Sequence, residues 1–239
     1  MTRSPAAPTP RPSRRERPAK PALTREGIIA AALRILRDEG LGKVTMRRVA
    51  QELDTGHASL YVYVRNTEDL HAQLLDAQLA GALADPPAGG DWRGRLKGLL
   101  TRYLDVVAAH PEIARMAIST RPSGPHYEEL LERVLALLAE GGVRGRTAAW
   151  ALDLLLLYPT AIAAEHAGES RDSARRDGDE ELAWLRQADP AAYPHLASLS
   201  GDLLSGTAAE RVEWALDFML DGAVAAALRP EPPASQGES

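Results

Sequence analysis

The segment TMRRVAQELDTGHASLYVYVRNTEDL, residues 45–70, contains the side chains best suited to recognition chemistry. Small and hydrogen-bonding residues lie in its middle. A short helix that exposes such residues is narrow enough to enter a DNA major groove, which is about 12 Å wide. We therefore predict that the residues that read base edges are His57, Ala58, Ser59 and Val62.

Residues able to bind phosphate lie on either side of these positions. Thr45 can cap a helix whose N-terminal amides and dipole attract an anion, and Arg47 adds a cation in the first turn of that helix. Tyr61 and Tyr63 add hydroxyl donors after the small residues. These four residues predict contacts to the DNA backbone.

The elements that must position these side chains follow from the apolar spacing. Apolar residues give one face to a helix over 45–53, and Asp54-Thr55-Gly56 makes a turn after it. A second helix is predicted over 57–63, and Leu60 and Val64, four residues apart, supply its apolar side. Asn66-x-x-Asp69 predicts the start of a third helix over 67–84. A longer helix from Thr24 to Gly40 precedes them, which together indicates a helix-turn-helix. An amphipathic helical hairpin that binds no ligand is the alternative interpretation.

This region resembles the DNA-binding domain of the TetR (tetracycline-repressor) family. The resemblance covers Leu23 to Leu74, and it is carried by ALTREGIIAAALRILRDEGLGKVTMRRVAQEL and by the string Leu60-Tyr61-Val62-Tyr63-Val64. It implies a sequence-specific transcriptional regulator. It also implies a phosphate contact near the start of the fourth helix, where this chain has Thr67 and members often have lysine.

The rest of the chain predicts further helices at 92–109, 111–119, 126–140, 144–167 and 207–228, with no alternation long enough for a strand. One or two helical turns are expected over 182–187, and irregular structure over 168–180 and 189–206. The predicted fold is all-α, with an N-terminal three-helix helix-turn-helix domain and a C-terminal helical bundle for dimerisation and ligand binding. The expected divisions are a disordered basic tail (1–22), the DNA-binding domain (23–70), the regulatory domain (71–228) and a disordered end (229–239).

Dimerisation is expected on physical grounds, because two recognition helices about 34–36 Å apart double the base contacts of one. The segments suited to an interface are 144–167 and 207–228. In the last helix an apolar face formed by Val212, Ala215 or Leu216, Met219 and Ala223 is either core or interface, and the resemblance favours the interface.

The resemblance further implies a repressor that a small, largely apolar effector releases from its operator. The alternative is a DNA-binding regulator without such an effector, either constitutive or controlled by a protein partner. Pro159 removes a helical hydrogen bond to the Leu155 carbonyl and predicts a kink that could open a cavity. The pocket candidates, each also explicable as ordinary core or surface, are Tyr103, Met116, Tyr127, Trp150, Tyr158, Glu165 and His166.

Enzyme chemistry finds no support in the residue pattern. The chain has no cysteine, and its six histidines show no metal-ligand spacing. There is no HExxH motif and no phosphate-binding glycine loop. His110-Pro111-Glu112 invites a metal or acid–base interpretation, but a proline at a helix start explains it more simply. We expect no catalytic residue, no metal and no cofactor.

Charge is unevenly distributed along the chain. Residues 1–22 carry six basic groups and one acidic group, and residues 23–70 carry seven groups of each sign. The formal net charge of the whole chain is −5. The basic tail is either an arm that reaches into a minor groove or, the favoured alternative, a solubilising extension. There is no secretory signal pattern, and Asp153 and Pro159 interrupt the most apolar stretch, 148–164. A soluble cytoplasmic protein without a membrane span is expected.

Overall fold

The computed structural model describes residues 22–84, 90–109, 111–119, 122–165 and 183–229. Within these ranges the backbone forms helices joined by turns, with no strand, so the predicted all-α fold is confirmed. The α-helices are α1 (Arg25–Glu39), α2 (Met46–Glu52), α3 (His57–Leu60), α4 (Thr67–Ala82), α5 (Trp92–Ala108), α6 (Pro111–Ser119), α7 (Pro125–Glu140), α8 (Gly145–Glu165), α9 (Pro194–Leu203) and α10 (Ala208–Ala227). Short 3-10 helices cover Leu41–Lys43 and Ala183–Gln187. Nearly all of both predicted tails, the loop predicted over 168–180, His110 and His166 lie outside the described residues.

Local signals account for the start and the end of α1. The Thr24 hydroxyl oxygen accepts a hydrogen bond from the Gly27 amide at 3.0 Å and so satisfies a donor that the helix leaves open. The helix stops at Gly40, whose φ of 83° is costly for residues that carry a Cβ atom. The buried residues of α1 repeat at helical spacing, as predicted: Ile28, Ala31, Ala32, Ile35 and Leu36.

The second predicted helix of the motif is shorter than expected. Regular α-helix ends at Leu60, where the amides of Tyr63 and Val64 both bond to the Leu60 carbonyl, at 2.9 and 3.0 Å. Two amides on one acceptor mark a change from helix to turn. Leu60 and Val64 nevertheless have no exposed surface, so the predicted apolar side is confirmed.

Helix α4 joins the two parts of the molecule. It begins at the predicted cap, where the Asn66 side-chain oxygen accepts a hydrogen bond from the Asp69 amide at 2.8 Å. One part of α4 packs against α1, and other parts pack against α5 and α7. A continuous hydrophobic core follows these contacts from Ile28 in α1 to Ala223 in α10.

The apolar face singled out in the last helix packs largely on the core of the protomer itself. In α10 Leu216 and Ala223 are buried, and Val212 and Met219 pack against the same core. Met219 and Ala223 also line an open groove between α8 and α10, so an interface at these two residues stays a prediction. The other side of α10 exposes Trp214 and Phe218, at 68% and 67%.

Helix α9 was not predicted, because residues 189–206 carry a run of turn signals. Pro194 stands in the first turn of α9, where a helix tolerates the missing N–H. No residue of α9 is buried. The main sequence signal for a helix is an apolar face that becomes buried. Because α9 buries no residue, its formation does not depend on such a face.

Helix α8 is long and apolar enough to cross a membrane by length and composition alone, although Asp153 and Pro159 lie within it. The core helix of a globular protein passes the same test. Here α8 packs against α5, α6, α7 and α10, which explains much of its apolar character.

Candidate nucleic-acid interface

The four predicted base-reading residues all reach the surface. His57, Ala58 and Ser59 are exposed on α3, and Val62 in the following turn is 79% exposed. Leu60, between them, is completely buried and ties α3 to the core. Small exposed side chains on a helix anchored from below are what groove recognition requires.

His57 is oriented by a neighbour that sequence analysis assigned only to phosphate binding. The Tyr61 hydroxyl lies 3.3 Å from His57 Nε2, and the two rings meet edge to face at 5.0 Å between centroids. Residues four apart in a helical turn are neighbours, so the spacing could have predicted this pair. Tyr61 therefore both exposes a hydroxyl group and holds the imidazole that is predicted to read a base.

The predicted phosphate-binding residues at the start of α2 are well placed. The Thr45 hydroxyl oxygen accepts a hydrogen bond from the Arg48 amide at 3.2 Å, and its own proton can still be donated to an anion. Arg47 is exposed in the same turn. Thr67 is half-buried as the first residue of α4, where the positive end of the helix dipole lies.

Arg48, the neighbour of Arg47, has a structural role instead. Its guanidinium binds Glu39 at 2.6 Å and Glu52 at 3.1 Å, and Arg34 also lies 3.6 Å from Glu52. The hydrogen bond to Arg48 lowers the pKa of Glu39, and Glu39 raises the pKa of Arg48. This network, which ties α1 to α2, was not predicted, although the four-residue spacing of Arg48 and Glu52 is a recognisable signal.

Tyr63 connects the end of the motif to the start of the described chain. Its hydroxyl donates a hydrogen bond to the Leu23 carbonyl at 2.7 Å, and the side chain is 36% exposed. A phosphate contact by this hydroxyl therefore has to compete with an internal bond.

One of the pocket candidates, Tyr103, belongs to a buried polar pair in the bundle. Tyr103 is 2% exposed, and its hydroxyl lies 2.7 Å from Thr160 Oγ1. Thr160 donates its proton to the Leu156 carbonyl at 2.8 Å, so Tyr103 must be the donor to Thr160. Burial raises the pKa of Tyr103 to about 12 and outweighs the opposing hydrogen bond to Thr160; Tyr127 adds a smaller upward effect.

Most of the remaining pocket candidates are only partly covered. Met116, Tyr127 and Tyr158 are half-buried, and Glu165 is exposed. Burial raises the pKa of Tyr158, with Arg211 opposing this shift and Glu165 adding to it. The seventh candidate, His166, lies outside the described residues.

Trp150 lies elsewhere, on the outer face of α8. It is 66% exposed, and the Arg146 guanidinium lies 5.4 Å from the centre of its ring. It lines an open groove of about 710 Å³ between α8 and α10, together with residues such as Leu154, Phe218 and Met219. None of the other pocket candidates lines this groove. Trp150 is thus separated from the other described pocket candidates.

The fold and the exposed α3 define a class of protein, a helix-turn-helix DNA-binding protein with a helical bundle attached. Comparison with known families agrees. Residues 28–74 match the bacterial regulatory proteins of the tetR family, and residues 85–226 match the tetracyclin repressor-like C-terminal domain. The chain belongs to the TetR family, and it is a DNA-binding transcriptional repressor.

Individual relatives extend over most of the chain. The HTH-type transcriptional repressor DrrR1 of Streptomyces coeruleorubidus is 30% identical over 219 residues, which cover 87% of this chain and 80% of the relative. The solved Streptomyces transcription regulator SCO7704 is 45% identical, with a TM-score of 0.73 and coverage of 90% and 100% of the two chains. ActR of Streptomyces coelicolor, crystallised with actinorhodin, is 34% identical, with a TM-score of 0.75 and coverage of 87% and 100%.

Proposed function

We propose that two copies of this chain bind a palindromic operator in the cytoplasm, and that a small, largely apolar effector releases them. The observation that carries the DNA-binding part is the exposure of His57, Ala58, Ser59 and Val62 around the buried anchor Leu60. We assign base reading to the four exposed residues. Phosphate binding is assigned to Thr45, Arg47, Tyr61, Tyr63 and Thr67.

An unpartnered apolar face supports the dimer. Trp150, Leu154 and Leu157 on α8 are 66%, 55% and 48% exposed, and Trp214 and Phe218 on α10 stack at 5.4 Å between ring centroids. Contiguous apolar patches of this kind are rare on monomeric proteins and mark interaction surfaces. Pairing of α8 and α10 with the same helices of a second copy would bury this face in a four-helix interface.

The effector part of the proposal rests on relatives. ActR has been crystallised with actinorhodin and with (S)-DNPA, and this chain is similar to ActR over most of its length. An effector can release DNA by favouring a conformer in which the two DNA-binding motifs (the reading heads) are wrongly spaced for the operator. A coupling free energy of only about 1–3 kcal/mol between effector binding and DNA binding is needed for this. Helix α4, which packs against both α1 and the bundle, is suited to carry that change.

The alternative without an effector is not favoured, because ligand-bound ActR, to which this chain is similar over most of its length, supports release by an effector. The open groove between α8 and α10 is lined by Trp150 and by no other predicted pocket residue. It belongs to the face that we propose for the dimer, and it carries no argument against an effector.

The DNA-binding proposal is tested by selection of binding sites from random DNA with the purified protein at two salt concentrations. An enriched palindrome with half-sites about one helical turn apart, and an affinity that falls steeply with salt, is the expected result. His57→Ala and Ser59→Ala should relax sequence preference. Tyr61→Phe should weaken binding at every site through the lost phosphate contact. It should also loosen the base preference at the position that His57 reads, because the two side chains are bonded.

Matched controls are available on α9, far along the chain from α3. His195 and Ser198 are exposed there, so His195→Ala and Ser198→Ala make the same chemical changes outside the proposed interface. Both should leave the selected site and its affinity unchanged. Selection that enriches nothing, with binding that vanishes when residues 1–22 are removed, would mean that the basic tail alone held the DNA.

The effector proposal is tested with actinorhodin as the probe. Saturable binding that raises the melting temperature and releases the selected operator supports the proposal. Saturable binding without release contradicts release by this ligand class and favours the alternative.

A further inference from the structure

Asp76 of α4 is a buried acidic residue that the DNA-binding function does not explain. It is 6% exposed, and both of its carboxylate oxygens bond to another helix. Oδ1 accepts the Tyr127 amide at 2.8 Å, and Oδ2 lies 3.0 Å from His126 Nδ1. The carboxylate therefore sits on the first turn of α7, about fifty residues away along the chain.

Helix α7 depends on this contact for its N-terminal cap. Its own capping residue is Gly124, which has no side chain to bond to the helix, and Pro125 follows in the first turn. The Tyr127 amide is the donor that a capping side chain normally satisfies, and here Asp76 satisfies it. A carboxylate at this end also interacts favourably with the helix dipole.

The glycine at this position leaves the space that Asp76 occupies. A Cβ atom on Gly124 would lie 2.3 Å from the Asp76 carboxyl carbon, far inside contact distance. The local sequence of α7 and the buried position of Asp76 on α4 are thus matched to each other.

A second polar contact joins the same two helices farther along. The Arg133 guanidinium of α7 donates to the Leu83 carbonyl at the end of α4, at 2.7 Å. Asp76 to Leu83 and His126 to Arg133 are both steps of seven residues, or about 10.5 Å along each helix. Helices α4 and α7 therefore run in the same direction and are held at two points in matching register.

The other half of α4 is bonded to the DNA-binding motif. His71 Nε2 lies 2.9 Å from the Val44 carbonyl just before α2, and Arg25 of α1 donates to the buried Gln73 side chain at 2.8 Å. One helix thus carries the motif on its first half and is fastened to α7 by its second half. A displacement of α7 that keeps these contacts therefore moves α4, and the motif with it.

We propose that Asp76 is a positioning residue for operator recognition: by fixing α4 on the N-terminus of α7, it sets the half-site spacing that the protein accepts. The inference rests on the proposed binding of a palindromic operator by two copies. According to this inference, the bundle controls the spacing of the two DNA-binding motifs through α7.

The test uses the full chain and the selected operator, together with versions in which the half-sites are moved apart or together by one or two base pairs. Each step moves a half-site by about 3.4 Å. Wild type should prefer one spacing. Asp76→Ala should lose about 10-fold in affinity at that spacing and bind the altered spacings nearly as well, with affinity for a single half-site unchanged.

Three variants separate positioning from folding. Asp76→Asn keeps an oxygen that can accept the Tyr127 amide and should restore most of the spacing preference. Arg133→Gln removes the second contact from a half-buried residue and should relax the preference in the same direction but less. Asp105→Ala, on the exposed face of α5, is the matched control and should change nothing.

The outcomes are distinguishable. Asp76→Ala with an unchanged spacing profile overturns the inference, as does equal loss on every spacing and on the single half-site, which indicates a merely structural role. If Asp76→Ala does not fold, an unchanged profile in Arg133→Gln overturns it. A wild type without any spacing preference contradicts two-headed operator binding itself, and the inference with it.

Discussion

The residues around α3 and the helical bundle differ in the range of their polar contacts. At α3 and at the start of α2 the partners are near neighbours, as in Thr45 with Arg48 and His57 with Tyr61, although the bond from Tyr63 to Leu23 spans forty residues. In the bundle they lie far apart along the chain, as in Tyr103 with Thr160. Lys97 of α5 extends the same pattern, with its ammonium 2.9 Å from the Asp217 carboxylate of α10.

This difference in contact range coincides with the proposed division of roles, with DNA recognition in the motif and regulation in the bundle. Because the polar contacts of α3 itself are local, different small residues can be presented there without changes elsewhere. A bundle specified by distant contacts responds as a whole when one helix moves. The two regions should therefore respond differently to the same kind of substitution.

The largest expected effect is on the subunit interface. Phe218→Glu places a charge on the exposed apolar side of α10 and should convert the dimer to a monomer, with a loss of operator affinity on the order of 100-fold because two-headed binding is lost. Sedimentation and operator titration measure the two effects. Leu199→Glu on α9, which also replaces an exposed apolar side chain, is the control; a monomer from this variant, or a dimer from Phe218→Glu, contradicts the proposed interface.

The second prediction compares two residues two positions apart in the motif. Leu60→Ala removes a fully buried side chain and should cost about 2–5 kcal/mol of unfolding free energy. Val62→Ala, at 79% exposure, should change stability by no more than about 0.5 kcal/mol and should alter the selected site instead. Denaturant unfolding and site selection give the two readouts, and equal stability losses would contradict the placement of α3.

A matched pair of helix caps gives a smaller effect. Thr45 and Thr207 each accept the amide three residues later, at 3.2 Å. Alanine at either position should cost about 1 kcal/mol of stability. Only Thr45→Ala should also weaken operator binding at all sequences, since only Thr45 is assigned a phosphate. Equal DNA affinity in the two variants would remove Thr45 from the interface.

The smallest effect concerns the buried pair in the bundle. The pKa of Tyr103 is raised from 10.0 to about 12, so the unfolded chain loses this proton first and stability should fall between pH 10 and pH 12. Tyr103→Phe should cost about 1 kcal/mol at neutral pH and remove this part of the alkaline decline. Urea unfolding at pH 8 and at pH 11 checks the prediction, and an identical pH dependence in the variant contradicts it.

The motif was largely predictable because its signals are local. Thr24, Thr45 and Asn66 cap helices within three residues, and the apolar spacing of Leu60 and Val64 identified the buried side of α3. The length of α3 was overestimated because the bonds that end it depend on backbone geometry. The pairing of Tyr63 with Leu23 spans forty residues and leaves no pattern in the sequence.

In the bundle the helices could be predicted from the sequence, but the partners of individual side chains could not. Helical spacing in α10 showed an apolar stripe without saying which neighbour covers it, and Leu216 proved to face the protomer's own core. Asp76 resembled any polar residue on a long helix, because its partner at Tyr127 is specified only by the packing of α4 on α7. Trp150 was a reasonable pocket residue by type, yet α8 turns it outward.

The division of α4 between two sets of bonds also limits how such proteins can be recombined. A reading head cut off at residue 70 would leave behind His71 and Gln73, which hold it to Val44 and Arg25. A cut beyond Asp76 would instead separate the bundle from the cap of α7. An exchange of heads between relatives therefore has a narrow permissible junction, the single turn between Gln73 and Asp76, where a new specificity can be joined to an existing regulatory bundle.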